Sequence, residues 1–112
     1  MSNWQLLESV DQLSTLNLAS YERPQLIFKH STRCGISFQV KDVLFSATGS
    51  LSGCADLHFL DLISFRSLSN YAASTLGVPH QSPQVLLIRE GSVVYHSSHF
   101  GIDTGAILAA AC

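Results

Sequence analysis

Apolar runs alternate along the chain with segments of helical periodicity, and this alternation predicts strands separated by helices. The segment from Gln25 to His30 (QLIFKH) predicts a short inner strand that is buried along its whole length, as in a parallel sheet. A helix is predicted to begin at or just before Cys34, because apolar side chains recur there on one helical face. These side chains are Ile36, Val40, Val43, Leu44 and Ala47.

The flanking segments continue the same alternation. Before the inner strand, WQLLE predicts an edge strand, and Ser9 with Gln12 predicts a capping box at the start of a helix. Further on, GSLSG, from Gly49 to Gly53, predicts a loop, and ADLHFLDLI predicts the next strand. A helical stripe from Leu68 to Leu76 then ends at Gly77.

The strongest local signal is QVLLIREGSVVYH, in which two apolar strands flank a Glu-Gly turn and predict a hairpin. A last short helix is predicted from about Thr104 to Cys112. The predicted order is β-α-β-α-β-α-β-β-α, an α/β fold with a mixed central sheet and helices on both faces, which is the order of the thioredoxin fold. The 112 residues fit a single domain, 1–112.

Composition narrows the function classes. The chain is 46% hydrophobic and only 12% charged, and its net charge is −2. There is no block of basic residues, so nucleic-acid binding is not expected. No apolar run is long enough for a membrane span, and the acidic N-terminal segment does not resemble a signal peptide, so we expect a cytoplasmic protein without membrane contact. The low charge content is compatible with a homodimer.

The three cysteines, Cys34, Cys54 and Cys112, are irregularly spaced, which suits a reducing compartment better than a disulfide framework or a zinc site. At a helix N-terminus, unpaired N–H groups and the helix dipole favour a thiolate, which predicts a nucleophile at Cys34, with Arg33 as a neighbouring cation. The alternative is a small buried hydrophobe. Cys54 is predicted to be a buried apolar residue and Cys112 an exposed end. Either could in principle resolve an adduct on Cys34 if a loop moved.

Ser37 stands three residues after Cys34, where dithiol redox proteins carry a second cysteine. Serine forms no disulfide, so Cys34 must either transfer a bound thiol adduct to another thiol or keep it. Two roles are open for Ser37, a hydrogen bond to the thiolate or a contribution to the helix cap. The five histidines lack the spacing of metal ligands, and no metal site is predicted. His30 is close enough in sequence to tune Cys34.

Two segments, IFKHSTRCGIS and VPHQSPQVLLIREGSVVYHSSHF, together with the Trp4 strand and its helix, resemble the thioredoxin superfamily and, within it, the YtxJ-like monothiol bacilliredoxins. The similarity covers nearly the whole chain. It implies that Cys34 is the attacking thiol and that Ser82-Pro83 is the cis-proline loop facing it. From the residues alone, Pro83 would be an ordinary trans turn proline. Gly35 stands where the family usually has proline, and glycine loosens the first helical turn.

The resemblance implies that Cys34 removes bacillithiol from mixed disulfides on client proteins, with bacillithiol or a similar low-molecular-weight thiol as co-substrate. Arg33, Gly35, Ser82 and Pro83 would then contact the substrate. Two other functions are open. One is a non-catalytic protein-binding module. The other is a thiol-dependent reductase of an oxyanion such as arsenate, for which Arg33 and Lys29 would supply the cations.

Overall fold

A computed structural model describes residues 3–112 and contains a five-stranded sheet with helices on both faces. The strands are β1 (Trp4–Leu6), β2 (Gln25–His30), β3 (Asp56–Asp61), β4 (Gln84–Arg89) and β5 (Ser92–Ser98). The helices are α1 (Val10–Ala19), α2 (Gly35–Ser46), α3 (Thr48–Ser52), α4 (Arg66–Leu76) and α5 (Thr104–Ala111), with a 3-10 turn at His99–Gly101.

The strand order in the sheet is β1-β3-β2-β4-β5. Strand β2 runs parallel to β3 and antiparallel to β4, so the predicted mixed sheet is confirmed. All six residues of β2 are buried, as expected for a central strand covered on both faces. One apolar cluster packs α2, α3 and α5 on one face of the sheet, and a second packs α1 and α4 on the other.

The locally encoded elements lie where the sequence places them. Ser9 caps α1, and its side chain accepts a hydrogen bond from the backbone N–H of Gln12 at 3.1 Å. Glu90 and Gly91 both have positive φ (52° and 79°), the backbone of the tight turn predicted between β4 and β5. Gly77 ends α4 with φ of 72°, the left-handed conformation that favours glycine.

The segment Gly49 to Gly53, predicted as a loop, is instead mostly helical, because α3 covers Thr48–Ser52. Leu51 is buried against the core, and the indole N–H of Trp4 donates to the hydroxyl of Thr48 at 2.8 Å. This packing outweighs the weak helix propensity of glycine and serine. Within residues 3–112, the helices are all too short or too polar to cross a membrane.

Candidate active site

Cys34 lies between the carboxyl end of β2 and the first turn of α2, where it is the N-cap residue. Its backbone N–H donates to the Ser31 carbonyl at 3.2 Å, and its own carbonyl accepts from the N–H of Ser37 at 3.1 Å. The side chain is half-buried and carries a free thiol. The sulfur forms no capping hydrogen bond to α2. Helix α2 therefore acts on the sulfur through its dipole, whose positive end lies at Cys34.

Ser37 is completely buried, and its hydroxyl is turned toward the end of β2. Its Oγ accepts a hydrogen bond from the backbone N–H of Ser31 at 3.1 Å and lies 2.7 Å from Nδ1 of His30. Among the hydrogen bonds of residues 3–112, none joins Ser37 to the sulfur of Cys34. The serine therefore connects the turn before Cys34 to the first turn of α2. This role differs from the two considered from the sequence, a hydrogen bond to the thiolate and a contribution to the helix cap.

His30 is 2% exposed and is surrounded by aromatic rings. Its ring centroid lies 4.9 Å from that of Phe38 and 5.4 Å from that of Phe59. Burial lowers the pKa of His30 and the nearby Lys41 lowers it further, while Asp61 and the Ser37 hydrogen bond oppose the shift. The imidazole is therefore neutral at pH 7.

The Ser82-Pro83 segment lies at the same end of the sheet as Cys34, beyond the carboxyl end of β2. Its peptide bond is cis, as the family resemblance implies. Lys29 on β2 pairs with Gln84 on β4, so Pro83, the residue before Gln84, lies level with the end of β2 that leads to Cys34. The backbone N–H of His99 donates to the Pro83 carbonyl at 3.0 Å and fixes the 3-10 turn beside this loop.

Arg33 and Gly35 flank Cys34, and both are exposed. The backbone N–H of Arg33 donates to Oγ of Ser31 at 3.3 Å, while nothing lies within 4 Å of the position that a Cβ on Gly35 would take. The first turn of α2 therefore leaves room for a side chain at position 35. Arg33, Cys34 and Gly35 thus lie at the end of the sheet where the Ser82-Pro83 loop is also found.

Lys29 is separated from this group by the pleat of β2. Its side chain is fully buried on the opposite face, where its ammonium donates to the Ser69 carbonyl of α4 at 3.4 Å. Burial lowers the pKa of Lys29 from 10.5 to about 8. The burial of Lys29 agrees with the prediction that the strand from Gln25 to His30 is buried along its whole length, whereas the oxyanion alternative required this ammonium beside Cys34.

A shallow groove of about 220 Å³ between α2 and the 3-10 turn also escaped the sequence analysis. Val43 and Phe100 line it, and Phe100 is 71% exposed. The signal in the sequence was the apolar Phe100 between His99 and Gly101, just after the predicted hairpin, for which no role was predicted.

Cys54 and Cys112 form a disulfide, with Cα atoms 5.3 Å apart. The expectation that the irregular spacing disfavours a disulfide is therefore wrong for this pair, while Cys34 stays free. Cys54 follows α3, and Cys112 follows α5, two helices that pack in the same cluster. The pairing arises from the packing of α3 against α5 across 58 residues of sequence, which residue spacing does not reveal. Within residues 3–112, no group of three His, Cys, Asp or Glu side chains is arranged to hold a metal ion.

Comparison with solved structures supports the fold. The chain is 26% identical to a protein described as an oxidoreductase with a thioredoxin fold, with a TM-score of 0.78 over 97% of this chain and 94% of that one. It is 16% identical to thioredoxin from Malassezia sympodialis, with a TM-score of 0.76 over 96% of this chain and 90% of that one. For thioredoxin O2 from Arabidopsis thaliana the identity is also 16%, with a TM-score of 0.71 over 96% and 90%.

The family comparison is more specific than the fold. Residues 5–107 match the model of the monothiol bacilliredoxin BrxC. This range contains Cys34, Ser37 and the Ser82-Pro83 loop, and it ends before Cys112. The chain therefore belongs to the monothiol bacilliredoxin family and has the thioredoxin fold.

Proposed function

We propose that this protein removes bacillithiol from mixed disulfides on client proteins, with Cys34 as the nucleophile. The Cys34 thiolate attacks the bacillithiol sulfur, and the client cysteine leaves as a thiolate. The bond broken is the client mixed disulfide, and the bond formed joins Cys34 to bacillithiol, so no external oxidant or reductant enters this step.

The observation that carries the proposal is the contrast between Cys34 and Ser37. Cys34 presents a half-buried free thiol at the amino end of α2, where the helix dipole favours the thiolate. Ser37 fills the position of a second thiol and is held in place by His30 and Ser31. A protein built in this way can take up a small thiol but cannot release it through a neighbouring cysteine.

Client binding is proposed at the Ser82-Pro83 loop. Within the described chain, the backbone N–H and C=O of Ser82 make no hydrogen bond, whereas the Pro83 carbonyl is occupied by His99. A free donor and acceptor on one residue suit an extended client segment that adds to the loop as a strand does to a sheet edge. Arg33 and Gly35 lie on the exposed side of Cys34, where they would contact the small thiol or the client.

The oxyanion-reductase alternative receives less support. It required Arg33 and Lys29 to hold an anion beside Cys34. The ammonium of Lys29 is buried against α4, on the face of β2 opposite to His30 and α2. Of the two cations that this alternative needs, only Arg33 is then left to hold the anion. A non-catalytic binding module needs no reactive thiol, and the experiment below distinguishes it.

The test is the intact mass of the reduced protein after mixing with a bacillithiolated model protein. We expect one bacillithiol on the Cys54→Ala/Cys112→Ala variant, and none on the variant in which Cys34 is also replaced by alanine. A parallel glutathionylated substrate tests the choice of small thiol, because transfer of glutathione alone would keep the mechanism and change the co-substrate. No adduct from either substrate would refute the proposal and favour the binding module.

A further inference from the structure

The Cys54–Cys112 pair is a second thiol centre that the proposed reaction does not use. The Cα separation of 5.3 Å lies inside the range for disulfides, so the two thiols of the reduced protein can close on each other without rebuilding the fold. Cys112 is exposed, whereas Cys54 is half-buried beside it. An incoming partner can therefore reach the sulfur of Cys112, and the sulfur of Cys54 lies next to it.

The pair cannot reach Cys34 of the same chain. Strands β2 and β3 are parallel and in register from Gln25 opposite Asp56 to His30 opposite Asp61. Cys34 lies beyond the carboxyl end of β2, whereas Cys54 lies before the amino end of β3. The strands between them span about 20 Å at about 3.3 Å per residue. Bonded cysteines have Cα atoms within about 7 Å, so exchange within one chain would require the sheet to come apart.

Cys34 and Cys112 lie at opposite ends of their helices, Cys34 at the amino end of α2 and Cys112 at the carboxyl end of α5. Cys34 is the N-cap of α2, whereas Cys112 is the C-cap of α5 and donates its N–H to the Leu108 carbonyl at 2.8 Å. A thiolate is favoured at the amino end of a helix and disfavoured at the carboxyl end. The guanidinium of Arg89 donates to the Ala110 carbonyl at 3.0 Å and offsets part of the unfavourable field at Cys112.

These fields set a direction for thiol exchange. The sulfur that is more stable as a thiolate is the better leaving group, and a dithiol whose thiolates are less stabilised is the stronger reductant. Cys34 is thus placed as the leaving group, and Cys112, once deprotonated, as the attacking thiolate. Because Cys54 and Cys112 lie close enough to form a disulfide within one chain, its closure would draw electrons from this dithiol to a mixed disulfide on Cys34.

We propose that reduced Cys54 and Cys112 form a resolving dithiol that acts in trans on the Cys34 adduct of a second copy of this chain. The proposal rests on the proposed function, since it concerns the fate of that adduct. The Cys112 thiolate attacks the small-thiol sulfur, and Cys34 of the second copy leaves as a thiolate. Cys54 then attacks the Cys112 sulfur and releases the small thiol. One dithiol is oxidised to a disulfide, one mixed disulfide is reduced to two thiols, and the two protons pass to the released thiolates.

The test separates the donor from the acceptor. The donor is Cys54→Ala/Cys112→Ala protein, loaded at Cys34 with glutathione or bacillithiol by reaction with the corresponding small-molecule disulfide. The acceptor is reduced Cys34→Ala protein, and intact masses of both are followed after mixing at equal concentrations. We expect the donor to lose its adduct completely at a rate that rises in proportion to acceptor concentration. The acceptor should become lighter by two hydrogens and carry no lasting adduct.

Single-thiol acceptors test the order of the two steps. The Cys34→Ala/Cys54→Ala acceptor should accumulate one adduct on Cys112, because the second attack is absent. A donor that keeps its adduct, or loses it equally fast to an acceptor with all three cysteines replaced, would overturn the proposal. Far-UV circular dichroism of each variant excludes reaction through an unfolded chain. Because the donor is loaded chemically, this outcome is independent of whether Cys34 reacts with a client mixed disulfide.

Discussion

Lys29 provides the sharpest test of the energetics beneath the site. Its side chain is fully buried, its ammonium makes one long hydrogen bond to Ser69, and burial lowers its pKa from 10.5 to about 8. In the described part of the chain, the one ion pair joins Arg23 to Asp56, so Lys29 has no carboxylate partner. At pH 7 the native protein therefore holds a desolvated charge. The interval between the two pKa values corresponds to about 3 kcal/mol of destabilisation.

We expect Lys29→Met to raise the free energy of unfolding at pH 7 by up to about 3 kcal/mol, because methionine retains the length of the side chain without the charge. Between pH 8 and 10.5 the native protein has lost this proton while the unfolded chain still holds it, so wild-type stability should rise with pH. The variant should lack this rise, and the difference between the two proteins should shrink as the pH approaches 10.5.

Urea unfolding followed by fluorescence at pH 7, 8, 9 and 10 measures both effects, since Trp4 is the only tryptophan and is buried. Lys41→Met is the matched control, because Lys41 is the other lysine and is only half-buried, over the rings of Phe38, Phe45 and Phe59. The control should not gain stability at pH 7. If Lys29→Met is less stable than the wild type at pH 7 and keeps the same slope above pH 8, the reasoning from desolvation is refuted.

Two further predictions concern buried polar groups. Ser37→Ala should lower the free energy of unfolding by about 2–4 kcal/mol, because the Ser31 N–H and His30 Nδ1 both lose their buried partner; a loss below about 0.5 kcal/mol in urea unfolding, the level of an exposed serine-to-alanine change, would contradict the assigned hydrogen bonds. Burial lowers the pKa of His30, His58 and His80, so the unfolded chain takes up protons first as the pH falls below about 6.5. Stability should therefore decrease between pH 7 and 5, and an unchanged urea midpoint over that range would be the opposing result.

The features that the sequence predicted correctly depend on neighbouring residues. The Ser9 cap, the Glu90-Gly91 turn and the Gly77 helix end are each decided within a few positions, so local chemistry was sufficient. The placement of Cys34 at the start of α2 follows from the same kind of signal. The failures depend on distant contacts. The helix α3 exists because Leu51 and Thr48 meet the core and Trp4, and no propensity scale contains that contact.

The site itself shows the same division. The C-x-x-S spacing identified Cys34 and Ser37, but it could not show that the serine hydroxyl turns to His30. That contact requires the end of β2 to fold back over the first turn of α2, across seven residues of sequence. The Cys54–Cys112 pair requires α3 and α5 to pack together, across 58 residues. Chemistry carried by one segment was predictable, whereas chemistry shared between segments needed the fold.

The environment of Ser37 explains why a second thiol at that position would be a poor substitute. The hydroxyl is fully buried, where it accepts a hydrogen bond from the Ser31 N–H and lies beside an imidazole kept neutral by burial. A larger sulfur accepts hydrogen bonds weakly, so a cysteine there would leave both partners poorly satisfied. The monothiol character of the site is thus supported by the packing under α2 as well as by the absence of a cysteine. A resolving thiol must then come from elsewhere, and within one chain the sheet keeps the remaining two cysteines at the far end.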